Sequence, residues 1–240
     1  MLINDILVDD LYVSDGKVCG IVAADEVMES DLVILAEGVN GLLAQKYGMK
    51  EALKQEETEV GVKEVIRLSP EIINERFGVA DGEGVAWMVN GFEGVADGFL
   101  YTNRDSISVG ISMPIAKVRE TEKSVPEILN DFMNHPEIAP LLEGGVLQEH
   151  SAHLFPEGRA SSVSKTYGNG ILVAGDTAGF CVNFGDTLRG MDLAVESGRL
   201  AAETAVKALE QNDFSEEYLS AYQKALEESS VYSILRAVEV

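Results

Sequence analysis

At 240 residues the chain has room for one large domain or two small ones, and 46% hydrophobic with 25% charged residues predicts a packed core rather than disorder. Its 41 Asp and Glu against 18 Lys and Arg give a formal charge of −23, which opposes binding to nucleic acid and repels an anionic membrane surface. Read blandly, the same charge simply keeps the chain soluble.

The two cysteines, Cys19 and Cys181, lie far apart and neither belongs to a Cys-x-x-Cys pair. An iron–sulfur cluster or zinc site held by this chain alone is therefore not expected, and a reducing cytoplasm is. No run approaches the roughly 18 apolar residues of a membrane span. The opening stretch MLINDILVDDLYV has no basic n-region, so it reads as strand rather than signal peptide.

In chain order, residues 6–13 and 17–24 are strand-like, and Ser14-Asp15-Gly16 between them is a hairpin signal. Residues 32–36 (LVILA) form a short apolar run closed by Glu37-Gly38. A run this short suits a parallel strand buried on both faces. Residues 40–48 read as a short helix with Asn40 near its start. From 51 the character changes, with strands expected at 57–68, 84–89, 96–102, 106–113 and 146–155. Gly, Asn and Asp between several of them favour antiparallel pairing. Helices are expected at 70–77, opened by Pro70, and at 124–134, where Ser124 and Glu127 form a capping box.

The last part returns to the first type. Residues 170–174 predict a buried strand ending at Gly175-Asp176. Residues 190–210 predict a helix whose Leu193, Ala194, Ser197, Ala201, Ala202, Ala205 and Leu209 trace a stripe of mostly small residues. Residues 214–236 predict one more helix, with Phe214, Tyr218, Tyr222, Leu226 and Tyr232 toward the core. The expected fold class is α/β (α+β): a layer of 1–50 and 166–240 interrupted by a mostly antiparallel insert at 51–165.

Asp176 draws attention because a buried strand runs straight into it. A carboxylate at a strand end can accept a ribose- or ribitol-type hydroxyl, and Gly175 and Gly179 leave room for a ligand to approach. The helix opening at Gly190-Met191-Asp192 offers unpaired N–H groups to negative charge, such as the N1/O2 edge of a reduced isoalloxazine. Spacing alone leaves open the alternative that Asp176 merely caps a turn. His150 and His153 stand three apart on a strand and point to opposite faces, so no metal site is assigned. No Ser–His–Asp or paired-carboxylate pattern stands out, so no catalytic side chain is assigned. Trp87, Met88, Phe92, Phe99, Leu100 and Tyr101 read either as core of the insert or as an acceptor-facing wall. Phe180 and Phe184 flank Cys181, itself read as a packing residue.

Four stretches carry a resemblance: VILAEGVNGLLA at 33–44, GFLYTNRDSISVG at 98–110, HPEIAPLLEGG at 135–145, and LVAGDTAGFCVNFGDTLRGMDLAVESGRLAAE at 172–203. Together, and in this order, they resemble the Fix-type flavoprotein dehydrogenases. Those are similar to electron-transfer-flavoprotein:quinone oxidoreductases and related to geranylgeranyl reductases. The resemblance implies an FAD-binding fold of the glutathione-reductase/hydroxylase type, with the insert as substrate or acceptor domain. It places Ala36 and Gly38 by the FAD pyrophosphate and adenosine side, with Glu37 where the wider superfamily has Asp. It places Gly175 and Asp176 at the pyrophosphate–ribityl region. Gly190, Met191 and Asp192 would lie at the flavin pyrimidine edge. Trp87, Phe99, Tyr101, Phe180 and Phe184 would shape the acceptor route.

The implied donor is an electron-transfer flavoprotein, and the implied acceptor is a quinone or a ferredoxin-like iron–sulfur partner. By analogy with quinone use, the cytoplasmic protein would touch the membrane peripherally. Alternatives are a prenyl (geranylgeranyl-type) reductase and a flavin-free binding or assembly module. One departure matters: no strand–GxGxxG–helix unit precedes Ile6, and GEG at 82–84 lacks that setting. The chain therefore looks like the C-terminal two-thirds or less of such a protein, an excised fragment or one piece of a split gene, expected to hold FAD weakly or not at all and to be inactive alone.

Overall fold

An Asp-Gly pair makes the first turn. Asp15 and Gly16 both take positive φ (49° and 76°), as a type I′ hairpin demands, and they join β1 (Asp10–Ser14) to β2 (Lys17–Ala23). The computed structural model describes residues 2–55, 58–156, 160–184 and 188–238. β2 pairs on its other side with β3 (Glu26–Glu29), completing a three-stranded antiparallel sheet. β4 (Val33–Leu35) follows, then the short α1 (Leu42–Lys46).

The middle of the chain is a unit of its own, Lys54–Phe155. It contains β5 (Thr58–Arg67), α2 (Pro70–Phe77), β6 (Ala86–Phe92), β7 (Ala96–Thr102), β8 (Ser106–Pro114), α3 (Ile115–Val118), α4 (Val125–Met133), α5 (Ala139–Leu142) and β9 (Val146–Pro156). Its five strands run in the order β6-β7-β8-β5-β9, with the β6/β7, β7/β8 and β8/β5 pairs antiparallel. The strand expected at 57–68 thus begins at Thr58, residue 57 lying outside the described residues. Both helices open where the sequence indicates, and the structure adds a Ser69 cap to the first. Ser69 accepts from Ile72 N–H ahead of Pro70, and the Ser124–Glu127 capping box closes α4. α4 covers one face of the sheet, its Phe132 ring lying where a Cβ on Gly98 would otherwise sit. Ile107, Val109, Ile111 and Leu100 fill that core with Ile128 and Leu129.

The other unit joins Met1–Leu53 to Pro156–Val240. The second boundary thus falls at Phe155/Pro156, where the sequence reading places it at 165. After a 3-10 turn at Ala160–Ser162 come β10 (Tyr167–Gly168), β11 (Ile171–Val173), β12 (Val182–Asn183) and β13 (Leu188–Arg189). The helices α6 (Met191–Gln211), α7 (Glu216–Glu228) and α8 (Ser230–Ala237) end the chain. The single helix expected at 214–236 is two. The break is at Ser229, whose backbone is extended and whose Oγ accepts from Val231 N–H, so the serine ends one helix and caps the next. Tyr222 and Leu226 are fully buried, Phe214 and Tyr232 nearly so, and Tyr218 packs on the rim of the same core.

α6 differs from its expected stripe. Its buried face is Leu193, Ser197, Leu200, Ala201, Thr204 and Ala208, while Ala202 and Leu209 are exposed. Met191, Val195, Val206 and Leu209 form a second, solvent-facing apolar stripe on the opposite side of the helix. β4 departs as well. It is the edge of the sheet β10-β11-β4, and Ile34 is 41% exposed rather than buried on both faces.

Candidate cofactor crevice

β4 and β11 are parallel neighbours, with Val33 opposite Ile171, Ile34 opposite Leu172 and Leu35 opposite Val173. Parallel strands end on the same side. The segment Ala36-Glu37-Gly38 therefore leaves the sheet beside Ala174-Gly175-Asp176, and the Ala174 N–H donates to Leu35 O at 3.0 Å. Two further contacts tie the segments. Thr177 Oγ1 donates to the Gly38 carbonyl at 3.1 Å. The Lys50 ammonium donates to Val39 O at 2.6 Å and to Asp176 O at 3.2 Å.

Gly175–Ala178 forms a single 3-10 turn ended by Gly179 in the left-handed region. Gly175 itself has φ +63°, a conformation that would strain a larger residue. Its N–H donates to Ser197 Oγ of α6 at 3.1 Å, and a Cβ added to it would stand 3.5 Å from Ala194 Cβ. The small residues of α6 thus bring that helix onto the turn. The Tyr222 hydroxyl secures the other side, 3.2 Å from the carbonyls of both Val173 and Ser197; burial pushes its pKa up.

α6 opens at Gly190. A Cβ there would lie 3.0 Å from Cys181 Sγ and 3.7 Å from Asp176 Oδ1, so a larger residue would have to push the Cys181 sulfur back by a few tenths of an ångström. The structure therefore brings together Gly38, Gly175, Asp176 and Gly190. Met191 beside them is 87% exposed, and Asp192 ion-pairs with Arg189. At Gly38 an added Cβ would meet nothing within 4 Å, which leaves that edge of the crevice open.

Glu37 has a job the sequence does not announce. Its Oε1 accepts from Leu43 N–H at 2.8 Å and its Oε2 from Ala44 N–H at 3.0 Å. The carboxylate caps α1, whose own N-cap Gly41 has no side chain to do so. Both carboxylate oxygens are engaged, so Glu37 acts here by holding the 37–41 loop. Lys50 has no motif signature either. Burial pulls its pKa down, while the charges of Asp176 and Glu37 oppose that shift.

The aromatic candidates divide. Phe99 and Tyr101 stack on one face of β7, ring centroids 6.1 Å apart, with Phe99 lying over Gly110. Trp87 pairs in register with Leu100 and so faces the other side of the sheet, its ring 5.5 Å from Phe77. Trp87 thus does not share a wall with Phe99 and Tyr101. Phe180 is fully buried in the core of the first-and-last unit, whereas Phe184 is 41% exposed. The second unit also carries an open concavity of about 750 Å³, lined by Val89, Phe92 and His135, with Lys123 held between Glu93 and Asp131. Of the residues read as a possible acceptor-facing wall, it is lined by Phe92 but not by Trp87, Met88, Phe99, Leu100 or Tyr101. His150 Nδ1 lies 3.2 Å from Glu64 Oε1. Among the described residues no group of three or more His, Cys, Asp or Glu is placed to hold a metal, and no helix is long and apolar enough to cross a membrane.

The fold is shared with a geranylgeranyl reductase-like protein, flavin-dependent halogenases and a probable FAD-dependent monooxygenase. It superposes with a TM-score of 0.71 on a geranylgeranyl bacteriochlorophyll reductase-like protein from Thermoplasma acidophilum (18% identity, 93% of this chain, 53% of that one). It superposes at 0.67 on the flavin-dependent brominase Bmp2 (16% identity, 92% and 55%). Likeness at such identities establishes the fold. Sequence goes further. The chain is a homologue of the probable electron transfer flavoprotein-quinone oxidoreductase YdiS of Escherichia coli K12, 45% identical over 95% of this chain and 54% of that protein. It is 44% identical to Protein FixC of the same strain over 94% of this chain and 54% of that one. The chain thus spans about half the length of the curated relatives it matches. No family model matches it.

Proposed function

We propose that this chain contributes one side of the FAD site, together with the acceptor domain, of an oxidoreductase that moves electrons from an electron-transfer flavoprotein to a quinone. The observation that carries the reading is the parallel β4/β11 pair, which delivers Gly38 and Gly175-Asp176 to one edge under the N-terminus of α6. The residues fit such a cofactor: a crevice kept open by glycines, a carboxylate for hydroxyls, and a 21-residue helix with no side-chain cap. When bound, FAD would supply the redox chemistry. Gly175 and Asp176 would grip the pyrophosphate–ribityl region, and Gly190, Met191 and Asp192 would face the flavin edge with backbone N–H groups.

The name of the relative YdiS supports this donor and acceptor. A ferredoxin-like partner and a peripheral membrane contact belong to the same proposal and rest on analogy alone. The 240-residue sequence contains no GxGxxG motif, and among the described residues the solvent-facing stripe of α6 and the unpaired edge of β4 are apolar surfaces suited to further protein. FAD affinity of the chain alone is accordingly low, by roughly 10²–10⁴-fold relative to a complete site.

The test is to purify the chain alone and co-expressed with the remaining portion of FixC, then record flavin spectra and quinone reduction by reduced electron-transfer flavoprotein. Sub-stoichiometric flavin alone, with stoichiometric flavin and quinone reduction after complementation, is expected. A colourless, inactive complementation complex would refute the flavoenzyme reading, and stoichiometric yellow colour in the chain alone would refute its weakness.

A further inference from the structure

We propose that Lys50 is the positioning residue of this crevice: one ammonium group fastens the 38–41 loop to the 175–178 turn and keeps a remaining N–H for an anionic oxygen of the ligand. The ligand part of the proposal rests on the flavin reading above, and the clamp does not. Lys50 is placed by backbone contacts on both sides. Its own N–H donates to Ala44 O at 3.1 Å, and the preceding Met49 is buried, its carbonyl accepting from Lys165 N–H at 2.9 Å.

From there the side chain passes Gly41. A Cβ on Gly41 would stand 2.9 Å from Lys50 Cδ, 3.2 Å from Thr177 Cγ2 and 3.5 Å from Lys50 Nζ, so the glycine opens the path. The ammonium then reaches Val39 O and Asp176 O, carbonyls 137 residues apart in sequence that belong to the two segments leaving β4 and β11. An ammonium has three N–H groups. Two are engaged, and the third makes no hydrogen bond among the described residues, although the Asp176 and Glu37 carboxylates lie close enough for their charges to act on the ammonium. Half-burial strengthens what that group can do, because a charge-assisted hydrogen bond gains as water is excluded. The chemistry it suits is a phosphate or other anionic oxygen. Thr177 joins the same clamp by donating to Gly38 O.

The experiment compares wild type, Lys50→Met, Lys50→Gln and Lys50→Arg in the 240-residue chain. Amide hydrogen exchange reads the clamp with no flavin present. Heteronuclear NMR titration with FAD, up to millimolar, reads the ligand arm. K50M is expected to speed exchange at residues 38–41 and 175–178 by about tenfold or more, leaving the core of α7 unchanged. It should also weaken FAD by about ten- to a hundredfold, the range of one lost charge-assisted hydrogen bond. K50R, which keeps charge and donors, should restore FAD binding; K50Q should not. Should K50M fail to fold, K50Q carries both readings. Unchanged exchange in the two segments overturns the clamp. FAD binding equal in K50Q and wild type overturns the ligand role. A wild-type chain that binds no FAD removes the flavin reading and the ligand arm with it, while exchange still decides the clamp.

Discussion

Replacing Glu37 by Gln separates a structural acid from a ligand-binding one. In the structure the carboxylate accepts two backbone N–H bonds, at 2.8 Å from Leu43 and 3.0 Å from Ala44. Gln keeps one acceptor oxygen and turns an NH2 group toward the other N–H. The lost bond is to a charged acceptor, worth about 1.5–3 kcal/mol, and the favourable placement of negative charge at a helix N-terminus adds about 0.5 kcal/mol. Leu43 and Ala44 are buried, so water has little access to the orphaned N–H. Partial exposure of Glu37 itself argues for the lower end of the range, and E37Q is expected to cost about 2 kcal/mol. Urea unfolding with linear extrapolation measures it: the midpoint falls while the slope stays constant. A loss under about 0.5 kcal/mol would refute the capping role. An apo-protein unaffected by E37Q but impaired in FAD binding would return Glu37 to the cofactor.

Two other outcomes follow from the geometry. Gly175→Ala places a Cβ at ordinary distance from Ala194 but forces φ +63° on an L-residue, so it should destabilise by about 1–2 kcal/mol in the same urea assay, and an unaltered midpoint would show that the turn relaxes freely. Asp10, hydrogen-bonded to Lys46 and Tyr47, has its pKa lowered from 3.8 to about 2. Because the folded value is depressed, its contribution to stability is present above the ordinary pKa and fades as pH falls from about 4 through about 2. Carboxyl-carbon NMR titration should find a midpoint near 2 that rises in Lys46→Met; an unmoved midpoint in that variant would contradict the assigned cause.

Features with local causes were legible in the sequence. Asp15-Gly16 dictates its turn, Pro70 and Ser124 with Glu127 dictate their helix starts, and the alternation in 106–113 gives β8 within a residue. What escaped had no local cause. β3 (Glu26–Glu29) is exposed at all four residues, so no apolar alternation marks it, and only pairing with β2 makes it a strand. Ser229-Ser230 reads equally as helix interior or cap, and tertiary packing decides. The exposed stripe on α6 is indistinguishable by spacing from a core-facing one. At the crevice the Gly-Asp pair and the Gly190 helix start could be picked out because their chemistry is contiguous. The capping by Glu37 and the reach of Lys50 depend on how loops lie, which residue spacing does not encode. The wall of Trp87, Phe99 and Tyr101 failed on parity, since residues paired across β6 and β7 share a face and Trp87 is paired with Leu100.

The most direct measurement of the central claim is residue-resolved FAD mapping on the wild-type chain by heteronuclear NMR. Amide shifts are expected to cluster at 36–41, at 175–179 and at 190–193. Perturbations confined to Lys54–Phe155, or none at millimolar FAD, would contradict it.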